Sequence, residues 1–279
     1  MGEFPPCPRE AVSMAEYRCG PVELKEITYR RGSAVWKATG PVATVAIKSG
    51  YGEGAEITVR EAAVLDALAG CSATAGSNWY VTDWVDGPST WEVFRSARES
   101  ADDGGRVQAL GGAIELCRAV AALHAEGWVH SDLQPSHGIH ATAGVRLIDF
   151  AWAWHPGFEQ HPAFRGGITH LVAPELAASI AAGVRPVRPS VQAEVYALAG
   201  VLWTCVTGAW PLDYVAAGID WNATTPDELR AAIATAEIPL AAARPWAEVQ
   251  SVLADVLSAG PQKRPTAVEL ANVLTEVVP

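Results

Sequence analysis

WVHSDLQPSHGIHATAGVRLIDF, residues 128–150, carries two aspartates, Asp132 and Asp149, on which the reading of the whole chain turns. An apolar pair, Trp128-Val129 or Leu147-Ile148, runs shortly ahead of each. The stretch reads as a β-hairpin with an aspartate at either end, each where a strand hands over to a loop. Such a pairing suits phosphoryl transfer. One carboxylate orients an attacking hydroxyl, and the other holds Mg²⁺ against a triphosphate.

Other segments line up with that chemistry. Upstream lies Val45-Ala46-Ile47-Lys48, and thirteen residues beyond the lysine Glu61 falls within REAAVLDAL, a helical pattern with apolar residues at 62, 65 and 68. Downstream come Ala173-Pro174-Glu175, then the apolar run AEVYALAGVLWTCVTGAWPL, and finally Gln262-Lys263-Arg264-Pro265-Thr266-Ala267. In this order the segments resemble the protein-kinase superfamily. Its catalytic loop reads H-R-D-L-x-x-x-x-N, matched here by His130, Ser131, Asp132, Leu133 and His137. Its metal-binding triplet D-F-G is matched by Asp149-Phe150-Ala151, and its V-A-I-K strand by residues 45–48.

The resemblance spans nearly the whole chain, from about residue 24 to about 278. It implies an α+β, bilobal protein-kinase-like fold, with a small β-sheet lobe bearing one main helix and a mostly helical large lobe. The expected division is an N-terminal extension at 1–20, a small lobe at 21–86 and a large lobe at 87–279. The extension reads as a strap over the small lobe or a loose tail. Strands are expected near Val22–Tyr29, Ser33–Thr39 and Val42–Lys48, and a fifth with the following linker in WYVTDWVDG, residues 79–87. The segment Ala69–Asn78 is short, so the sheet has either an abbreviated strand there or four clear strands. A long helix is expected over roughly 106–126.

Composition sets limits. Twenty basic and 31 acidic residues give a formal charge of −11, which argues against a nucleic-acid partner. Five cysteines, odd in number and without metal-type spacing, read as reduced thiols. No apolar run reaches the ~18 residues of a membrane span. The start MGEFPP has neither a signal-peptide core nor a myristoylation pattern. A cytoplasmic protein without a membrane partner is expected. Most of the eleven tryptophans read as core and loop anchors.

By the resemblance, ATP with Mg²⁺, or Mn²⁺ in its place, is the cofactor. Lys48 reaches the phosphates and is aimed by Glu61, Asp132 orients the acceptor hydroxyl, and Asp149 holds the metal. Gln134 stands where protein kinases usually carry lysine, and is assigned to catalysis as a donor to a phosphate oxygen. His137 takes the asparagine place at the metal. A loop-packing role for it, bonded to Asp132, stands beside that reading, and a zinc site with His130 and His140 is set aside. Gly32, Arg30, Ala46, Asp83, Val85 and Ile139 are assigned to the nucleotide, with Thr82 behind the adenine.

The chain departs from the family in several places. Thr28, Arg30 and Ser33 occupy the three places of the phosphate-loop glycines, leaving only Gly32 between them. Arg30 and Arg31 are therefore either phosphate contacts or exposed charges. Ser131 removes the arginine that answers a phosphorylated activation segment. Glu194 replaces the aspartate that braces the catalytic loop, and Thr169 is a candidate to touch Asp132. The large-lobe motifs favour Ser/Thr of a peptide or protein as acceptor. The chain is also similar to the separate kinase-like subunits of some lanthipeptide synthetases, which implies a precursor peptide and a partner lyase or synthetase subunit. Two alternatives stand: a pseudokinase acting as a binding or scaffold module, and a small-molecule phosphotransferase.

Overall fold

Alternating side chains organise the small sheet. The computed structural model describes residues 4–100, 103–243 and 245–278; residues 1–3 of the expected extension and Pro279 of the expected large lobe lie outside the described residues. Strands β1 (Glu23–Arg30), β2 (Ser33–Thr39), β3 (Thr44–Gly50), β4 (Ala73–Ala75) and β5 (Trp79–Asp83) form an antiparallel sheet in the order β1-β2-β3-β5-β4. Successive side chains of a strand point to opposite faces. Ala34, Trp36, Ala38, Val45, Ile47, Trp79 and Val81 accordingly share one face, and they pack with Ala11, Ala15 and Cys19 of helix α1 (Arg9–Cys19) in a single core cluster.

The expected extension is therefore no loose tail over Arg9–Cys19. That face is apolar and needs a cover, which α1 supplies. Leaving Trp36, Ile47 and Val81 in water would forfeit ~1.5–3 kcal/mol per large side chain. Helix α2 (Gly54–Ala67) sits on the face that carries Lys48. Strand β4, only three residues long, is the abbreviated strand between α2 and β5.

The turn between β1 and β2 has two central residues, Arg31 (φ 49°) and Gly32 (φ 73°), both left-handed. That is the type I′ pattern that matches strand twist. The hairpin tip docks on the connection ahead of α2: the Tyr51 amide donates to the Gly32 carbonyl at 2.6 Å. A Cβ on Gly32 would lie 2.5 Å from the Tyr51 carbonyl oxygen, and one on Gly54 would lie 2.2 Å from that of Gly32.

The chain divides into two compact units. One runs through Val85 and includes Asp149–Ala151; the other comprises Asp86–Ile148 and Trp152 onward. The second unit holds α3 (Thr90–Val93), α4 (Arg95–Glu99), α5 (Asp103–Ala125), the hairpin β6 (Gly138–Ala141) and β7 (Gly144–Leu147), and then α6 (Pro174–Ala181), α7 (Val191–Thr207), α8 (Pro226–Ala234), α9 (Ala247–Ser258) and α10 (Ala267–Thr275). Helix α7 is buried on nearly every side, as its continuous apolar sequence demands. Ser190 caps its start, and left-handed Gly208 ends it. Capping boxes Ser89/Glu92, Thr225/Glu228 and Thr266/Glu269 open α3, α8 and α10.

The chain is thus an α+β protein. The hairpin within 128–150 is smaller than expected. Asp149 follows β7 by two residues, but Asp132 lies six residues ahead of β6, in irregular backbone. The loop 130–137 is held by side chains rather than by a strand ladder.

Candidate functional site

In the small unit a lysine is clamped between two carboxylates. Lys48 Nζ donates to Glu61 Oε2 at 2.6 Å and to Asp149 Oδ1 at 2.9 Å. Glu61 is 1% exposed. Burial alone would lower the Lys48 pKa; Glu61 above all, with Tyr80 and Asp149, overrides it and holds the ammonium well above the usual lysine value. Burial pushes the Glu61 carboxyl up, against the pull of Lys48. Neighbouring Arg60 donates to the Ala151 carbonyl at 2.7 Å, tying α2 to the Asp149-Phe150-Ala151 triplet. Asp149 itself is left-handed, at φ 65°, an uncommon conformation for aspartate that clusters at functional sites.

Tyr80 was not anticipated from the sequence. It faces Lys48 across the β3–β5 ladder and is 4% exposed. The available signal was register: once β3 and β5 are paired, residues directly opposite share a face.

The other residues assigned to the nucleotide have mixed settings. Ala46 lies on the Lys48 face, opposite Thr82, whose hydroxyl donates to the Ser72 carbonyl at 2.8 Å. Asp83 is paired with Arg18 of α1 at 2.5 Å, and Val85 ends the small unit. Arg30 and Arg31 are exposed at the hairpin tip. Gly32 is used for close approach to Tyr51 and Gly54. Ile139 belongs to β6 in the large unit.

In the large unit the loop bearing Asp132 hangs on Glu194 of α7. This buried carboxylate accepts the His130 amide at 3.1 Å, the Ser131 amide at 2.6 Å and His124 Nε2 at 2.7 Å. Burial would raise its pKa, but the His124 bond and the loop amides outweigh burial and keep it below the ordinary glutamate value. His124, on α5, is a second residue that the motif reading passed over. His130 is buried and its pKa is lowered, chiefly by desolvation. Its Nε2 faces the Ile148 carbonyl at 3.0 Å, while Nδ1 accepts the Asp132 amide at 3.4 Å. A carbonyl can only accept, so the neutral ring carries its proton on Nε2.

Around Asp132, Gln134 Nε2 donates to Oδ2 at 3.0 Å, so in this structure the amide braces the aspartate. His137 Nδ1 donates to the Asp132 main-chain carbonyl at 2.8 Å, a loop-packing bond to the backbone and not to the carboxylate. Thr169 begins a short 3₁₀ turn. The residue lying against Asp132 is Gly167, at φ 67°, where a Cβ would come within 2.4 Å of Oδ1. Arg264, with its side chain 2% exposed, makes two bonds to Glu175 at 2.5 and 2.9 Å. It also donates to the carbonyls of Ala259 and Gln192.

No group of three or more His, Cys, Asp or Glu able to hold a metal occurs among the described residues. The donor set still fits Mg²⁺ bound mainly by phosphates and water, which needs only one or two protein carboxylates. Asp149, with its side chain 38% exposed, supplies such an oxygen. The five cysteines are free thiols. No helix among the described residues is long and apolar enough to cross a membrane.

The large unit also has a cavity of about 1090 Å³, lined by Trp91, Pro135, Ser136, Trp210, Tyr214 and Trp221 among others. Trp36, Trp79, Trp128, Trp203 and Trp246, five of the eleven tryptophans, are buried anchors. Trp210 and Trp221 instead wall this cavity, with His170 stacked on Trp210 at 4.5 Å. No protein-family model matches the chain, and no curated protein matches it.

Proposed function

We propose that the chain is an ATP-dependent phosphotransferase acting on a hydroxyl, with Ser or Thr of a peptide as the favoured acceptor. The carrying observation is the clamped Lys48, fixed between buried Glu61 and the partly exposed Asp149. A structural ion pair needs only one carboxylate. A lysine shared by two, one of them open to solvent, is poised to exchange a partner for phosphate oxygens. Mg²⁺ or Mn²⁺ on Asp149 would supply neutralisation of the phosphate charge.

In this reading Asp132 accepts the proton of the acceptor hydroxyl as its oxygen bonds to the γ-phosphorus. The bond from that phosphorus to the β,γ-bridging oxygen breaks, and ADP leaves. Gln134 fixes the carboxylate rotamer, and Glu194 fixes the loop. Pro135 and Ser136 continue that loop into the wall of the aromatic cavity. Its volume, about 1090 Å³, lies just above the ~300–1,000 Å³ of small-molecule pockets, which favours a peptide over a small acceptor.

The test incubates the protein with labelled ATP, Mg²⁺ or Mn²⁺, and Ser/Thr peptides. Asp132→Asn should lower turnover by roughly 10²–10⁴-fold and leave nucleotide affinity nearly intact. Transfer at full rate in that variant would sink the mechanism. The docked hairpin tip, where close contact with Tyr51 takes the place of an open glycine loop, favours one second reading: a pseudokinase that binds nucleotide without transfer. It predicts nucleotide binding with no turnover in the wild type.

A further inference from the structure

We infer that Arg60 is a positioning residue for the metal-binding carboxylate of Asp149. Its guanidinium holds the main chain of the Asp149-Phe150-Ala151 triplet, so that Asp149 stays aimed when Lys48 turns toward phosphate. The inference rests on the proposed nucleotide and metal roles of Lys48 and Asp149, and all its residues lie in the small unit. It begins with a closed ring of contacts. Adjacent residues of a helix project about 100° apart, so one turn of α2 sends Arg60 and Glu61 in different directions. Glu61 accepts from Lys48 Nζ at 2.6 Å, and Lys48 donates to Asp149 Oδ1 at 2.9 Å. Arg60 donates to the Ala151 carbonyl at 2.7 Å. The triplet is thus tied to one helical turn at both ends, by a side chain at Asp149 and by the main chain at Ala151.

The two ties differ in what a ligand does to them. Lys48 is an ammonium on a flexible four-carbon stem, already divided between Glu61 and Asp149, and phosphate oxygens compete for it. Asp149 in turn must offer an oxygen to the metal. Both changes loosen the Lys48–Asp149 contact in the same event. The Ala151 carbonyl binds neither phosphate nor metal in the proposed chemistry, so the Arg60 bond persists through the exchange. That bond bears on Asp149 because Asp149 is left-handed, at φ 65°. Such a conformation is costly for aspartate and lasts only where its surroundings over-determine it. Phe150 and Ala151 are packed, at 5% and 6% exposure, and Arg60 fixes the peptide plane just beyond them. A guanidinium suits the task, because it keeps its charge and a charged donor bonds more strongly than a neutral one.

Calorimetry tests this by following ATP binding through a Mg²⁺ titration, and again in EDTA, for the wild type, Arg60→Met and Arg60→Lys. Methionine keeps much of the length and removes the charge and the donors. Lysine keeps the charge on a single donor group. Arg60→Met is expected to raise the Mg²⁺ concentration at half-maximal binding about tenfold, the worth of one hydrogen bond to a charged group, and to leave ATP affinity in EDTA within about twofold. Arg60→Lys should recover part of the loss. Affinity retained in EDTA would show an intact fold, which a merely structural role for Arg60 does not combine with a metal-specific loss. Should Arg60→Met fail to fold, the same split is read in Arg60→Lys. An unchanged Mg²⁺ requirement in the folded variant, or equal losses with and without metal, would overturn the inference and leave the proposed function standing. A wild type that binds ATP in neither condition would bring down the proposed function, and the positioning role with it.

Discussion

Glu61 in the small unit and Glu194 in the large unit are buried alike, at 1% and 3% exposure, yet they are held in opposite ways. Glu61 meets a shared ammonium, and burial leaves its carboxyl above the ordinary value. Glu194 meets His124 and two main-chain amides, and its carboxyl is held below the ordinary value despite equal burial. The difference lies in the donors. His124 on α5, and after it the main-chain amides, are fixed by the fold and cannot leave, so they favour the charged form permanently. A lysine on a flexible stem favours it only while it stays. Glu194 is built to hold a loop still, and Glu61 to share its cation.

The largest effect should come from Glu194→Gln. The amide cannot accept from both loop N–H groups and offers its own N–H to donors, so a loss of ~3–5 kcal/mol is expected, the range for breaking a buried charged network. Glu61→Gln leaves Lys48 paired with Asp149 and should cost roughly 1.5–3 kcal/mol, the worth of a hydrogen bond to a charged group. The pH dependence also differs in sign. The Glu194 contribution is present above the unfolded glutamate pKa of about 4.3 and is lost as pH falls through its lower folded value. The Glu61 contribution is present below that same unfolded value and is lost as pH rises through its raised folded value. Urea melts across acid pH should therefore flatten in Glu194→Gln and not in Glu61→Gln. Equal losses in the two variants, with the same pH profile, would end the distinction.

Arg264→Ala inverts the comparison, since here the buried partner is the cation and the carboxylate is 31% exposed. Water can reach Glu175 once the guanidinium is gone, so about 3 kcal/mol is expected, the low end for a broken buried pair. An unchanged melting temperature would contradict the pairing seen here. The smallest effect concerns Asp132, whose carboxylate is braced by an amide and backed by backbone. Gly167→Ala places a Cβ against Oδ1 and forces a left-handed alanine, which should cost ~1–2 kcal/mol. Kinetics should show reduced turnover with nucleotide affinity retained. Full turnover would mean that Asp132 tolerates displacement.

The small sheet was largely legible in the sequence, because β2 and β3 alternate cleanly and Lys48 and Glu61 sit at a motif spacing. The Arg264–Glu175 pair was legible for the same reason. The packed state of α1 was legible in principle from Trp36, Ile47, Trp79 and Val81, four apolar residues on a face that nothing else in the small unit would cover. Tyr80 and Gly167 were not legible. Each matters through a neighbour brought near by folding, Lys48 across a ladder and Asp132 across a loop, and neither carries a local pattern. His124 was hidden in the last turn of an ordinary helix. Its role appears only once Glu194 comes from a segment seventy residues away.

The three-way contact of Gly32, Tyr51 and Gly54 sets a mechanical limit on the small unit. Because backbone meets backbone there, with no side chain to yield, the hairpin tip and the first turn of the Glu61 helix shift as one piece or come apart altogether. In this chain the β1–β2 turn is less a flap than the outer end of a lever whose short arm carries Glu61.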